Sequence, residues 1–160
     1  MRRFLEPGRL RRAAPLLATA VLLGACSSQA GGGSNSAAVQ LSPASGTTSS
    51  TPTWSTSTAC KTGFQGSAVF REVHRDGTTT NSISSAVLGT NAPFHGTLQA
   101  SIARIQAAGG IANGATQKLV IICFSGPSLT GTSNQDMGLF ITYSSDGSSY
   151  TTSATAPAGS

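Results

Sequence analysis

Charge is scarce in this chain of 160 residues, and most of its positive charge lies at one end. Charged residues make up 9% of the sequence, against roughly a quarter in an average globular protein. Five of the ten basic residues and one of the five acids lie within residues 1–12, and no further charge occurs before Lys61. From residue 26 onward five bases face four acids, a net charge of +1. This part of the chain lacks the positive field of a nucleic-acid-binding protein, so we predict no nucleic-acid partner.

Histidines and carboxylates are also too few to predict catalysis or metal binding. The two histidines are His74, at the end of a predicted strand, and His95, in a predicted turn. Beyond residue 26 the acids are Glu72, Asp76, Asp136 and Asp146. Asp76 and Asp146 each precede a glycine, which is typical of turns. The two other acids and the two histidines are too few for a paired-carboxylate hydrolase or a metal centre. We therefore predict no enzyme activity, no metal and no cofactor.

The start of the chain predicts export. Residues 1–12 are basic, and residues 13–25 form an uncharged stretch rich in Leu and Val. This order is typical of a secretory signal peptide. The stretch is shorter than the roughly 20 apolar residues that a helix needs to span a bilayer. We therefore predict a signal peptide over residues 1–25.

Leu23-Gly24-Ala25-Cys26 ends this segment with a branched apolar residue, two small residues and a cysteine. The motif resembles the lipobox of bacterial lipoproteins, a resemblance confined to the first 26 residues. It implies cleavage before Cys26, attachment of a diacylglyceryl group to that thiol, and anchoring at the extracytoplasmic face of the cell membrane. The alternative is an ordinary secreted protein with an unmodified thiol at Cys26.

The cysteine count fits this resemblance. Three cysteines are an odd number for an exported protein, and a lipidated Cys26 leaves Cys60 and Cys123 as an even pair. An exported protein meets an oxidising compartment, in which disulfides persist. We therefore predict a Cys60–Cys123 disulfide. The rival interpretation is two unpaired, buried thiols in a reducing cell.

Residues 26–37 are rich in Gly and Ser and carry no charge, which predicts a flexible tether. The folded domain is predicted over residues 38–155, with a disordered tail over 156–160. Within 37–58, the alternation Val39-Gln40-Leu41 favours a short edge strand, and Trp54 favours a packed segment because a linker would leave its ring exposed. The alternative is that the whole of 37–58 belongs to the linker.

Most of the remaining pattern indicates strands. Residues 66–74 form a Val- and Phe-containing run that ends at Asp76-Gly77 and resumes over 78–83, which predicts a hairpin. Residues 119–124 are six apolar residues in a row, as in a strand buried on both faces. Residues 137–143 predict a third strong strand, and Asp146-Gly147 turns it toward residues 149–152. We expect Arg71 and Arg75 to form a solvated hairpin edge whose charges are compensated by Glu72 and Asp76.

One segment has a different period. Residues 97–108 place Leu98, Ile102 and Ile105 at helical spacing and end at Gly109-Gly110, which predicts a short helix. The alternative is a strand that begins near Phe94, because alternate residues from Phe94 to Ile102 are also apolar or small.

These elements predict a mainly β domain, built as an antiparallel β-sandwich with one short helix near 97–108. Leu41-Ser42-Pro43-Ala44-Ser45-Gly46 and Ser145-Asp146-Gly147-Ser148-Ser149-Tyr150 resemble the opening and closing segments of extracytoplasmic immunoglobulin-like domains in actinobacterial surface proteins. The resemblance implies an immunoglobulin-like sandwich over residues 38–155. The alternative is an α+β domain with a single antiparallel sheet and the helix across one face.

We therefore expect a membrane-anchored cell-envelope lipoprotein that presents a small β domain. Its expected role is non-enzymatic, either binding or structural, and its partner is an envelope or surface component that the sequence does not identify. A first alternative is a lipid or small-molecule carrier with a cavity lined by residues such as Phe70, Leu98, Ile105 and Phe140. A second alternative is a hydrolase, which would bring Ser125, a histidine (His95 or His74) and Asp136 within hydrogen-bond reach.

Overall fold

The computed structural model describes residues 38–79 and 81–158, apart from the side chain of Asp136. The predicted signal peptide (1–25), Cys26 with its lipobox, the tether (26–37) and the last two residues of the predicted tail lie outside the described residues. None of the described residues belongs to a helix long and apolar enough to cross a bilayer.

The described chain forms two antiparallel sheets and one short α-helix, as the sequence predicted for a mainly β, sandwich-like domain. In spatial order, the smaller sheet contains β1 (Val39–Ser42), β3 (Thr53–Thr56) and β6 (His95–Thr97). The larger sheet contains β2 (Ser45–Thr47), β9 (Ser149–Ser153), β8 (Ser133–Tyr143), β7 (Thr116–Phe124), β4 (Ser67–Glu72) and β5 (Val87–Leu88).

The main core lies on one face of the larger sheet. Because side chains alternate across a strand, Ala68 and Phe70 of β4 point to the same face as Leu119 and Ile121 of the neighbouring strand β7. The smaller sheet and the helix contribute to this same core, with Val39, Leu41, Trp54, Ile102 and Ile105. A second, smaller apolar cluster lies on the opposite face of the larger sheet and contains Val69, Val120, Ile122 and Phe124. Strand β7 is therefore buried on both faces, as its apolar run predicted.

Trp54 belongs to the core and not to a linker. Its side chain is 1% exposed, and its ring centroid lies 5.4 Å from that of Phe70 and 5.9 Å from that of Phe94. Strand β1 is an edge strand of the smaller sheet, as predicted from Val39-Gln40-Leu41. Residues 38–56 are thus largely ordered β structure, which corrects the alternative that assigned them to the linker.

The helix α1 (Ile102–Ala108) is shorter than the predicted 97–108 segment. It begins after Ser101, whose hydroxyl accepts a hydrogen bond from the backbone N–H of Arg104. Residues 95–97 instead form β6, in which Gly96 lies opposite Trp54. Each of the two interpretations of this segment is therefore correct for one part of it. The pairing of Gly96 with Trp54 holds residues 95–97 in a strand, so the helix begins later in the chain.

The hairpins form at the predicted turns. After β4, Gly77 and His74 close the Asp76-Gly77 turn, and the returning chain pairs through an isolated Arg71–Ser82 bridge and not through a continuous strand. At the second turn, hydrogen bonds from Ser144 and Ser148 lower the pKa of Asp146 to about 2. This turn joins β8 to β9.

Cys60 and Cys123 have their sulfur atoms 2.05 Å apart, at disulfide distance. Cys60 lies before β4, and Cys123 lies within β7. Both side chains are almost fully buried in the main core. The predicted pair is therefore present in the fold.

Candidate functional site

Glu72 is the one carboxylate that the fold buries completely among the residues whose side chains the structure describes. The residue is 0% exposed, because it continues the inward-facing series of Ala68 and Phe70 on β4. We expected Glu72 in a solvated edge with Arg71, Arg75 and Asp76, and that expectation is wrong for Glu72. Strand register decides its position, and burying a carboxylate is costly unless polar partners compensate it.

The two oxygens of Glu72 have different surroundings. Asn81 Nδ2 donates a hydrogen bond of 2.7 Å to Oε1, and His74 Nε2 lies 3.3 Å from the same oxygen. Oε2 is buried and has no hydrogen-bond partner. Polar side chains thus compensate the burial of Oε1, whereas Oε2 is a buried acceptor without a donor. Buried polar groups of this kind are rare in folded proteins.

A second buried polar pair lies close enough to Glu72 to sense its charge. Tyr143 donates a hydrogen bond of 2.6 Å to Gln117 Oε1, and Gln117 Nε2 donates one of 3.4 Å to the carbonyl of Val73. Burial raises the pKa of Tyr143 above its ordinary value, and the negative charge of Glu72 adds to this effect. We call the buried residues Glu72, Gln117 and Tyr143, together with the half-buried His74 and the exposed Asn81 that contact Glu72, the buried polar cluster.

The wall of a surface cleft of about 420 Å³ includes Glu72. Its other polar lining residues are Asn81, Ser82, Gln99 and Arg104, and its apolar lining residues are Ile83, Ala100, Ile105 and Ala108. We call this space the Glu72 cleft. Its volume is in the range of small-molecule sites, roughly 300–1,000 Å³.

Arg104 brings a positive charge to the same cleft. Its side chain is exposed, and no described residue forms an ion pair with its guanidinium. The Glu72 cleft therefore contains one carboxylate and one guanidinium that are not paired with each other. Helix α1 carries Arg104 and β4 carries Glu72, so two separate elements place the opposite charges in one cleft.

A second cleft of about 430 Å³ is lined by two other members of the cluster, His74 and Gln117. Its lining includes His74, Arg75 and Lys118, together with the apolar side chains of Ile111 and Phe140. His74, which lines this second cleft, contacts Glu72, which lines the first. His74 is thus half-buried in the polar cluster, whereas His95 is exposed at the start of β6.

Of the residues that the hydrolase alternative requires, Ser125 and His74 lie at opposite ends of β4 and β7. Ser125 follows β7 beside Gly66, and its hydroxyl accepts a hydrogen bond from the backbone of Thr132. His74 lies beyond the Glu72–Leu119 pair at the other end of the same two strands, about 26 Å away at the usual strand rise. His95 begins a strand of the other sheet. The side chain of Asp136 lies outside the described residues.

The four residues named for the carrier alternative lie on two sides of the larger sheet. Phe70, Leu98 and Ile105 are buried in the main core. Phe140 pairs with Lys118 on the opposite face of the larger sheet and lines the second cleft. The space next to Phe70 is filled by the ring of Trp54. Phe140 therefore lies on the other side of the larger sheet from Phe70, Leu98 and Ile105.

Metal-binding side chains do not cluster in the described part of the chain, where no group of three or more His, Cys, Asp or Glu residues lies together. The comparisons with known proteins add no assignment: no protein-family model, no curated protein and no solved structure matches this chain.

Sequence reasoning missed the Glu72 cleft, although one signal for part of it was present. Residues 68, 70 and 72 share one face of a strand, so the core position of Phe70 also places Glu72 inward. No local signal connects Gln99 and Arg104 to this carboxylate, since their proximity depends on the tertiary fold.

Proposed function

We propose that this protein is a membrane-anchored cell-envelope lipoprotein that presents its β domain for a non-enzymatic binding role. The Cys60–Cys123 pair is the observation that supports export most directly, because disulfides persist in oxidising compartments and are rare in the cytosol. The pair also leaves Cys26 as the one cysteine available for the lipid.

The lipid anchor rests on Leu23-Gly24-Ala25-Cys26 and on the basic and apolar segments before it. A diacylglyceryl group carries two acyl chains, and two chains hold a protein stably at a membrane where one does not. We propose that residues 26–37, which are rich in Gly and Ser, tether the domain to this anchor. Such a tether lets the domain meet an envelope or surface partner close to the bilayer.

The binding role is supported by the Glu72 cleft. It combines a volume suited to a small ligand with polar side chains and an incompletely bonded carboxylate. Ser125, His74 and His95 are not among the residues that line it, which supports a binding role for this cleft over serine-hydrolase catalysis there.

The anchor is tested by expressing Cys26→Ser in the native host and measuring the protein in membrane and soluble fractions. We expect the variant to leave the membrane fraction, because a serine hydroxyl does not accept the diacylglyceryl group that a thiol accepts. Ser27→Ala is the matched control, since it changes the neighbouring residue and keeps the thiol; it should stay with the membrane. Retention of Cys26→Ser at the wild-type level would contradict the proposed anchor.

A further inference from the structure

Two residues of opposite charge line the Glu72 cleft, and they come from two different elements. Glu72 on β4 is 0% exposed and has one oxygen without a hydrogen-bond partner. Arg104 on α1 lines the same cleft and forms no ion pair with any described residue. A fold optimised for stability alone would pair these two charges with each other or replace Glu72 by an apolar residue.

The uncompensated oxygen defines what the ligand must supply. Leaving a charged acceptor unbonded in a buried position costs more than leaving a neutral one, and a charged donor gives the strongest compensation. The best complement to Glu72 Oε2 is therefore an ammonium group with several N–H donors. Asn81 and His74 already bond to Oε1, which holds the carboxylate in a fixed orientation.

Arg104 defines the other end of the ligand. A guanidinium binds a carboxylate through two parallel hydrogen bonds. A ligand with only a positive charge would be repelled by Arg104, and one with only a negative charge would be repelled by Glu72. A ligand with both charges satisfies both residues. The cleft wall also contains the polar side chains of Ser82 and Gln99 and the small side chains of Ala100 and Ala108.

We propose that the Glu72 cleft binds a small zwitterion of the amino-acid or short-peptide class, with its ammonium group at Glu72 and its carboxylate at Arg104. This assignment deepens the proposed binding role and does not depend on the membrane anchor. Oε2 is covered from solvent in the unliganded protein, so binding includes a side-chain movement in the cleft wall. We therefore expect association to be slower than for a preformed pocket.

The proposal is tested by isothermal titration calorimetry on the purified full-length chain with alanine and dialanine. Ethylamine and propionate are the matched single-charge probes, because each lacks one of the two charged groups of alanine. We expect at least one zwitterion to bind, with both single-charge probes at least tenfold weaker. Stronger binding of alanine identifies a free amino acid as the ligand class, and stronger binding of dialanine identifies a short peptide.

Two variants assign the binding to the cleft. Glu72→Gln keeps the side-chain shape but removes its charge, and Arg104→Gln removes the guanidinium at an exposed position where folding is not at risk. Each should weaken zwitterion binding at least tenfold. Arg75→Gln is the matched control, since Arg75 is also an exposed arginine but lines the second cleft; its affinity should equal that of the wild type.

The outcomes separate this proposal from the membrane anchor. Absence of heat with either zwitterion up to about 10 mM, equal binding of the single-charge probes, or wild-type affinity in Arg104→Gln would each overturn the zwitterion site. If Glu72→Gln does not fold, the Arg104→Gln and Arg75→Gln pair still decides the question. None of these results changes the fractionation of Cys26→Ser, so the two proposals fail independently.

Discussion

Removing the Cys60–Cys123 bridge should cost this domain a large part of its stability. The cysteines are 63 residues apart, and in the chain-entropy model a closed loop of this length contributes about 4 kcal/mol to the free energy of unfolding. A domain of this size has a total stability of roughly 5–15 kcal/mol. We therefore expect Cys60→Ala/Cys123→Ala to fold but to be strongly destabilised. Alanine is preferable to serine because both positions are buried, where a hydroxyl would need a partner.

Urea unfolding followed by tryptophan fluorescence measures this loss, since Trp54 is the one tryptophan and lies in the core. With a slope of about 2 kcal/mol per molar urea, the midpoint should fall by about 2 M. The control is a thiol reductant: it should destabilise the wild type and leave the double variant unchanged. A loss below about 1 kcal/mol in the variant would refute the reasoning, because the bridge would then not constrain the unfolded chain.

Two further substitutions test the core and the buried polar cluster. Gly96→Ala would place a Cβ 2.7 Å from Trp54 Cζ2, so thermal unfolding should show a loss of about 1–3 kcal/mol in the free energy of unfolding. Gly46→Ala is the control: its Cβ would lie 3.6 Å from the nearest atom, so the substitution should be nearly neutral. Equal effects of the two substitutions would contradict the packing described. The pKa of Tyr143 is raised in the folded state. Its contribution to the free energy of unfolding is therefore complete below the pKa of about 10 in the unfolded chain, and it is lost as the pH rises above that value. Urea unfolding between pH 9 and pH 11 should therefore show a decline in stability that Tyr143→Phe reduces; an identical decline in both proteins would exclude this residue as its source.

The strong strands were predictable because burial leaves a direct trace in the sequence. The apolar run of residues 119–124 became the central strand β7, with one half of its side chains in each apolar cluster. The Asp76-Gly77 and Asp146-Gly147 pairs marked both hairpin turns. Trp54 was correctly placed in the core because so large an apolar ring is seldom left in a linker.

The helix boundary and the site were not predictable in the same way. The apolar positions around Leu98 fit both a helix and a strand, and pairing with β3 over Trp54 decides between them. Glu72 was assigned to the surface because charged residues are usually exposed, but register with Phe70 determines its side. The cleft itself combines Glu72 of β4 with Arg104 of α1, a tertiary arrangement without a local signal in the sequence.

Export and lipidation form the central claim, and intact-mass and peptide mass spectrometry of the protein from the membrane fraction tests it most directly. The account predicts a chain that begins at Cys26, carries a diacylglyceryl group on that residue and contains the Cys60–Cys123 bridge. A chain that keeps residues 1–25 and has three reduced, unmodified thiols would contradict it.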